Sequence, residues 1–243
     1  MAPRSSAVLE FRSRDADRTR EKILRAAMAE FAAHGFGGAR MEAIAERGEV
    51  DKKLIYYYFA AKDELFLAVL EQTYADIRAA ERQLHLEASD PLDAISALVA
   101  FTWHYYLAHP EFLALLNSEN MHGAGHLKRS RSIRQMNSPV IEALAGVLER
   151  GERSGELRSG IDAMQLYISI AGLAYFYLSN NHTLSAVFGR ELMTSAAHEG
   201  RLAHMCELIL AYVAAAPAAA AAPARPRAPS LRPPVAGSFR RQR

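Results

Sequence analysis

The sequence has a single cysteine, Cys206, among 243 residues, so an internal disulfide cannot form. Its start lacks the apolar segment of a secretory signal, and we therefore expect a cytoplasmic protein. The longest uncharged stretch, residues 163–189, is broken by Gln165 and by 180–182. The mainly apolar run that remains, residues 166–178, is too short to span a bilayer, so we expect no membrane partner.

The common signatures of enzymes are also missing. There is no G-x-S-x-G, no cysteine and histidine at a diagnostic spacing and no dinucleotide-binding fingerprint, so we predict neither catalysis nor a cofactor. Glu119, His122 and His126 would share one face of a helix and suggest a metal-dependent hydrolase as a less favoured alternative. Gly123 and Gly125 argue against that helix, and we expect no metal site.

Patterns typical of β-strands are nearly absent, and apolar residues instead recur every three or four positions from Asp17 to Val213. This periodicity predicts an all-α protein. We expect a flexible N-terminal arm at 1–16, a three-helix head at 17–62 and a larger helical body at 63–214.

The last 29 residues, 215–243, contain six arginines, no acid and many prolines, which is typical of a disordered tail. The net charge of the whole chain is +2, so the rest carries 2 − 6 = −4. A basic tail attracts nucleic acid weakly and without sequence preference. A nonspecific DNA binder that depends on this tail is therefore a second alternative function.

The most informative stretch, residues 35–65, predicts two short helices joined by a tight turn. Asp51 is placed to cap the second of these helices. At 100° per residue, Ile55 and Phe59 fall on one face, where they can pack against Ile44 and Phe31. This arrangement is that of a helix-turn-helix.

The opposite face of the same helix carries Lys53 and Tyr57, flanked by Lys52 and Tyr56, whereas Tyr58 lies nearer the buried side. Ammonium and phenol groups are suitable donors to phosphate oxygens, and a single helix fits the major groove. Solvated lysines over a tyrosine-covered core would give the same pattern, but the helix-turn-helix spacing favours a DNA-contacting surface.

This segment resembles the DNA-binding domain of the TetR family of bacterial transcriptional regulators. The match rests on ten positions: Gly35, Phe36, Ile44, Ala45, Val50, Lys52, Tyr56, Tyr57, Phe59 and Lys62. Ala39 and Arg40 replace the usual small hydroxyl residues, which removes the expected cap of the second helix. Glu49 occupies a turn position that often needs a positive φ. Lys53 and Leu54 depart from the usual glycine and small polar residue.

The resemblance implies a repressor that binds a palindromic operator on double-stranded DNA and is released by a small-molecule effector. Tyr56, Tyr57 and Lys62 are then expected to contact phosphates, and Arg40 to add a further phosphate contact. The resemblance also implies that three residues approach the edges of the bases: Lys52, Lys53 and Leu54.

One such head reads only a few base pairs, so we expect a homodimer. The segments at 162–180 and 198–213 are the best candidates for its interface. Ile168, Gly172, Tyr175 and Ser179 form a stripe along the first of them. A buried internal core would give the same stripe, and the resemblance favours an interface.

The resemblance also implies a small-molecule cavity in the body. Aromatic side chains with a few polar groups are typical of such cavities, although the same residues at helical spacing describe an ordinary core. The candidates are Trp103, His104, Tyr106, Phe112, Leu116, Asn117, Tyr167, Phe176 and Asn180.

Overall fold

Helices make up most of residues 5–215, the part of the chain that the computed structural model describes. The predicted all-α fold is confirmed, with one isolated β-bridge between Leu157 and Ala214. The helices are α1 (Ser5–Gly38), α2 (Met41–Arg47), α3 (Lys52–Phe59), α4 (Lys62–Arg82), α5 (Pro91–Ala108), α6 (Pro110–Met121), α7 (Arg131–Ser154), α8 (Ala163–Ser179), α9 (Asn181–Phe188) and α10 (Ser195–Val213), with a short 3₁₀ turn at Leu127–Arg129.

Side-chain caps explain where several helices begin. In each case an oxygen of the capping side chain accepts from a backbone N–H two or three residues later, which satisfies a donor that the helix itself leaves free. The capping residues are Asp51 for α3, Asp90 for α5, Ser130 for α7, Asp162 for α8 and Thr194 for α10.

Three boundaries differ from the sequence expectation. Helix α1 begins at Ser5, so the described part of the expected irregular arm is helical; residues 5–16 contain no glycine or proline to interrupt it. The sequence predicts a long helix from about Lys62 to Glu87, but helix α4 ends at Arg82, just before His85 adopts a positive φ of 47°. Helix α9 was not predicted, because it continues the uncharged stretch of α8 after Asn180.

No helix within residues 5–215 is both long and apolar enough to cross a bilayer. The predicted tail lies outside the described residues except for 215 itself.

Two apolar cores hold the helices together. The first contains Phe31, Ile44 and Ile55, with residues 65, 66, 69 and 70 of α4. Leu115 of α6 and Ile133 of α7 complete this same core. The second core lies among α5, α7, α8 and α10, around Trp103. The first core fixes the orientation of α3, and the second supports the cavities described below.

Candidate nucleic-acid interface and ligand cavities

Helix α3 presents the lysine-tyrosine surface outward, as the spacing predicts. Asp51 Oδ1 accepts from the N–H of Lys53 at 2.7 Å and fixes the start of the helix. Ile55 and Phe59 are buried on one side. On the other side Lys53 is exposed, and Tyr57 is 80% exposed. An ammonium group and a phenol exposed on one face are suitable donors to phosphate oxygens, so this face can serve as a nucleic-acid contact surface.

The two lysines of α3 differ in their electrostatic surroundings. Lys52 forms an ion pair with Glu42 of α2 and stands over the ring of Tyr56, 5.9 Å from its centroid. The hydrogen bond between the side chains of Lys52 and Glu42 raises the pKa of Lys52 and lowers the pKa of Glu42. Lys53 has no acidic partner among the described residues. Lys53 is therefore the lysine that can reach a ligand without breaking an ion pair.

Lys62 at the start of α4 occupies a more enclosed position. Its Nζ donates to the carbonyl oxygen of Ala39 at 2.6 Å and lies 5.0 Å from the centroid of the Phe36 ring. The side chain is half-buried and links α4 to the residues before α2. A phosphate contact by Lys62 would therefore also fix the position of α2 relative to the DNA.

The cap that the sequence lacks at α2 comes from another helix. Arg40 is the N-cap residue, and its exposed side chain makes no capping hydrogen bond. Instead, the backbone N–H of Arg40 donates to Oε1 of the buried Glu30 in α1, at 3.2 Å. Sequence reasoning missed Glu30; the available signal is an acid within the apolar stripe of α1.

Three further basic residues surround the turn of the helix-turn-helix. Lys22, Arg25 and Arg47 are exposed and line a cleft of about 280 Å³. Glu49 in this turn has a φ of 51°, so the expected positive φ is confirmed. None of the three was among the predicted contacts, although the spacing of Lys22 and Arg25 on the exposed face of α1 was visible in the sequence; Arg47 ends α2.

A cavity of about 450 Å³ lies between α4, α6 and α8, and we call it the tyrosine cavity. Three of the predicted pocket residues, Tyr106, Leu116 and Tyr167, line it. Burial raises the pKa of Tyr167 to about 12 and that of Tyr106 further, so both phenols stay protonated at neutral pH. The remaining lining residues are Tyr74, Glu119, Asn120, Leu127, Ile168, Ala171, Gly172 and Tyr175.

The other predicted pocket residues lie elsewhere. Asn117 and Asn180 line a neighbouring open hollow of about 550 Å³ with Tyr175. Trp103 and Phe112 are packed in the second core instead, since large aromatic rings at helical spacing fill a core equally well. The side chains of His104 and Phe176 are exposed.

A second cavity, of about 400 Å³, lies between the end of α4 and α7, and we call it the arginine cavity. Arg78 and Glu81 line it, although each is only 5% exposed. Nη2 of Arg78 donates to the hydroxyl of Tyr167 at 2.6 Å, which connects the arginine cavity to a wall of the tyrosine cavity. No pattern in the sequence predicts the burial of these charges, because charged residues on an amphipathic helix normally face solvent.

The residues of the hydrolase alternative serve a structural purpose. Glu119 Oε1 accepts from the N–H groups of His126 and Leu127 at 2.8 and 3.0 Å, and Oε2 lies 2.7 Å from His126 Nδ1. His122 Nδ1 lies 2.7 Å from the carbonyl oxygen of Ser118. In the part of the chain that the structure describes, no three such side chains are placed to hold a metal ion. The carboxylate stabilises the turn after α6, so a hydrolase is not favoured.

Comparisons with known proteins agree with this architecture. The family described as bacterial regulatory proteins of the tetR family matches residues 23–69, and the tetracyclin repressor-like C-terminal domain matches 91–209. The transcriptional repressor NicS of Pseudomonas putida is 40% identical over 199 residues, which cover 82% of this chain and 94% of NicS. The regulator RutR of Escherichia coli is 30% identical over 74% of this chain and 84% of RutR.

Solved structures show the same fold. The transcriptional regulator SCO4942 of Streptomyces coelicolor matches with a TM-score of 0.61 and 21% identity, over 80% of this chain and 98% of that one. The fatty acid degradation regulator FadR of Bacillus halodurans also gives 0.61, at 18% identity, over 79% of this chain and 94% of that one. The two matched domains and the extent of the match to NicS show that this chain belongs to the TetR family of bacterial regulatory proteins.

Proposed function

We propose that this protein is a cytoplasmic transcriptional repressor that binds a palindromic operator as a homodimer and is released by a small-molecule effector. The observation that carries the proposal is the outward position of Lys53 and Tyr57 on a capped helix whose other side is buried. Relatives that are named as repressors, NicS among them, support the sign of the regulation.

The contacts with DNA divide into two groups. Tyr56, Tyr57 and Lys62, with Arg40, donate to phosphates and set the position of the head on the duplex. Lys53 enters the major groove beside Lys52 and Leu54, and a lysine there is best matched to the O6 and N7 acceptors of guanine. Lys52 has to exchange its bond with Glu42 for a base contact, so Lys53 is the main reader of the sequence.

The distribution of exposed apolar side chains supports dimerisation through α8 and α10. Among the described residues eleven large hydrophobic side chains are exposed, and eight of them lie between 164 and 212. Helix α8 buries Leu166 and Ile170 in its own core, while Ile168 is 54% exposed on the outer side. Such a surface is typical of an interface. Its members are Met164, Ile168, Phe176, Val187, Phe188, Met193, Leu208 and Tyr212.

Two helices connect the cavities to the DNA-binding head. Helix α4 carries Lys62 at one end and Arg78 about 24 Å away at the other. Helix α6 contributes Leu116 to the tyrosine cavity, and its Ser118 Oγ accepts from the N–H of Phe36 at 2.9 Å. We expect these helices to have two arrangements that differ in the spacing of the two heads. An effector shifts the equilibrium between the two arrangements by the difference in its affinity for them.

Selection of bound sequences from random DNA tests the proposal directly. We expect a roughly palindromic consensus with half-sites one helical turn, or a multiple, apart. A chain truncated after residue 215 should select the same consensus, because the sequence is read by α3 and not by the arginine tail. Loss of most affinity and of the consensus upon truncation would instead favour the nonspecific tail-driven binder.

Replacing Lys62 is expected to weaken DNA binding equally on all sequences, because a phosphate contact carries no sequence information. Lys62→Ala should flatten the slope of log K against log salt concentration by about one. Lys62→Met keeps a side chain over Phe36 but loses the charge, so it should show the same change in slope with less loss of thermal stability. Titrations at several salt concentrations measure the slope, and a loss confined to the operator sequence would contradict the phosphate role.

A further inference from the structure

The buried guanidinium of Arg78 is only partly satisfied by the protein. Its Nη1 lies 2.6 Å from Glu81 Oε2, but their alignment is too poor for a hydrogen bond, and Nε has no partner among the described residues. Glu81 Oε2 likewise accepts no hydrogen bond. Buried polar atoms normally form hydrogen bonds, because leaving one without a partner destabilises the fold. Two of these atoms meet only as an ion pair and Nε meets no acceptor, so all three lack a hydrogen bond beside a cavity, an arrangement suited to a ligand.

The arginine cavity defines the chemistry of that ligand. Its apolar wall includes Leu86, Met136 and Val140, which favour a compact apolar body. A planar guanidinium matches the two oxygens of a carboxylate. A volume of about 400 Å³ limits the ligand to a small molecule.

The ion pair of Arg78 and Glu81 restricts the charge of a ligand that binds beside it. A monoanion can exchange one for one with the carboxylate of Glu81, whereas a dianion such as phosphate would leave excess negative charge beside Glu81. Uncompensated charge in a buried site is strongly unfavourable. We therefore infer that the effector is a small organic carboxylate that pairs with Arg78 in the arginine cavity.

The state of Glu81 makes the exchange easier. Burial raises the pKa of Glu81 to about 7, even though Arg78 and the hydroxyl of Tyr167 oppose the rise. Glu81 can therefore take up a proton near neutral pH when an incoming carboxylate replaces it as the partner of Arg78. Because Arg78 also donates to the hydroxyl of Tyr167, the exchange would also affect this residue, which lines the tyrosine cavity.

Calorimetric titration of the full chain with benzoate tests this inference, with benzamide as a neutral probe of the same shape. We expect benzoate to bind at least about tenfold more tightly than benzamide, since only benzoate forms charge-assisted hydrogen bonds with Arg78. Arg78→Met should remove this preference. Arg82→Gln is the matched control, because the exposed Arg82 lines the same cavity, and it should retain the preference.

Arg78→Lys keeps the positive charge but loses the planar guanidinium, so its affinity for benzoate should fall about tenfold. This variant tests the inference if Arg78→Met does not fold. The inference is overturned if benzoate does not bind or if benzamide binds equally tightly. It is also overturned if inorganic phosphate raises the thermal unfolding temperature as much as benzoate does, or if Arg82→Gln loses as much benzoate affinity as the Arg78 variants.

The regulatory meaning of this site rests on the proposed function, and a separate measurement keeps the two apart. Binding of the wild type to its selected DNA is measured without benzoate. If the protein ignores DNA, the repressor proposal fails, while the calorimetric preference for benzoate still decides whether Arg78 is a carboxylate site.

Discussion

Ile168→Asp is expected to convert the dimer into monomers and to lower operator affinity at least about 100-fold. The side chain is 54% exposed in the single chain and becomes buried if α8 and α10 pair across a two-fold axis. In such an interface each residue appears twice, so the change places two like charges in an apolar contact. Burying an unpaired charge costs several kcal/mol, which is enough to separate the subunits at micromolar concentration.

Sedimentation velocity measures the mass of the variant, and fluorescence anisotropy measures its affinity for the operator. Ala79→Asp is the matched control, since it adds the same charge at an exposed position of α4, away from α8 and α10. This control should remain dimeric. A variant Ile168→Asp that stays dimeric with unchanged affinity would place the interface on another surface.

Lys53→Ala is expected to lower affinity for the operator about 30-fold while affinity for unrelated DNA changes little. A well-placed base contact contributes about 1–3 kcal/mol of discrimination, and the proposed homodimer would read a palindromic operator with two copies of Lys53. Stability should not change, because the Lys53 side chain is exposed and the N–H that donates to Asp51 remains.

Lys52→Ala is a close control for this effect, because Lys52 is next along the same helix but already pairs with Glu42. Its loss should reduce operator affinity less than the loss of Lys53 does. Parallel titrations on the selected operator and on scrambled DNA compare the two variants. Equal losses on both DNAs for Lys53→Ala would mean that this lysine contacts phosphate and does not read bases.

Local patterns predicted the geometry of the candidate DNA-binding surface well because its determinants lie within one short segment. The Asp51 cap, the buried Ile55 and Phe59 and the exposed Tyr57 all follow from helical periodicity over nine residues. The contact of Glu30 with the N–H of Arg40 did not follow, because it joins different helices and satisfies a donor that no local side chain reaches.

The cavities were harder to predict because they depend on how distant helices pack. Trp103 and Tyr167 have the same aromatic character, yet one fills the second core and the other lines the tyrosine cavity. The ion pair of Arg78 and Glu81 is a simple i, i+3 pair in the sequence, where such pairs are normally solvated. The packing of α7 against α4, together with the ring of Tyr167 beside the guanidinium, buries it.

The shared composition of the first core limits how the head can be exchanged between regulators. Phe31 and Ile55 pack in one continuous cluster with Leu115 of α6 and Ile133 of α7. A chimera joined after residue 62 would therefore match a foreign α6 and α7 to this head, and any difference in side-chain volume there would leave voids or clashes. Transplanting the DNA specificity of this protein onto another body requires that Leu115 and Ile133 travel with the head.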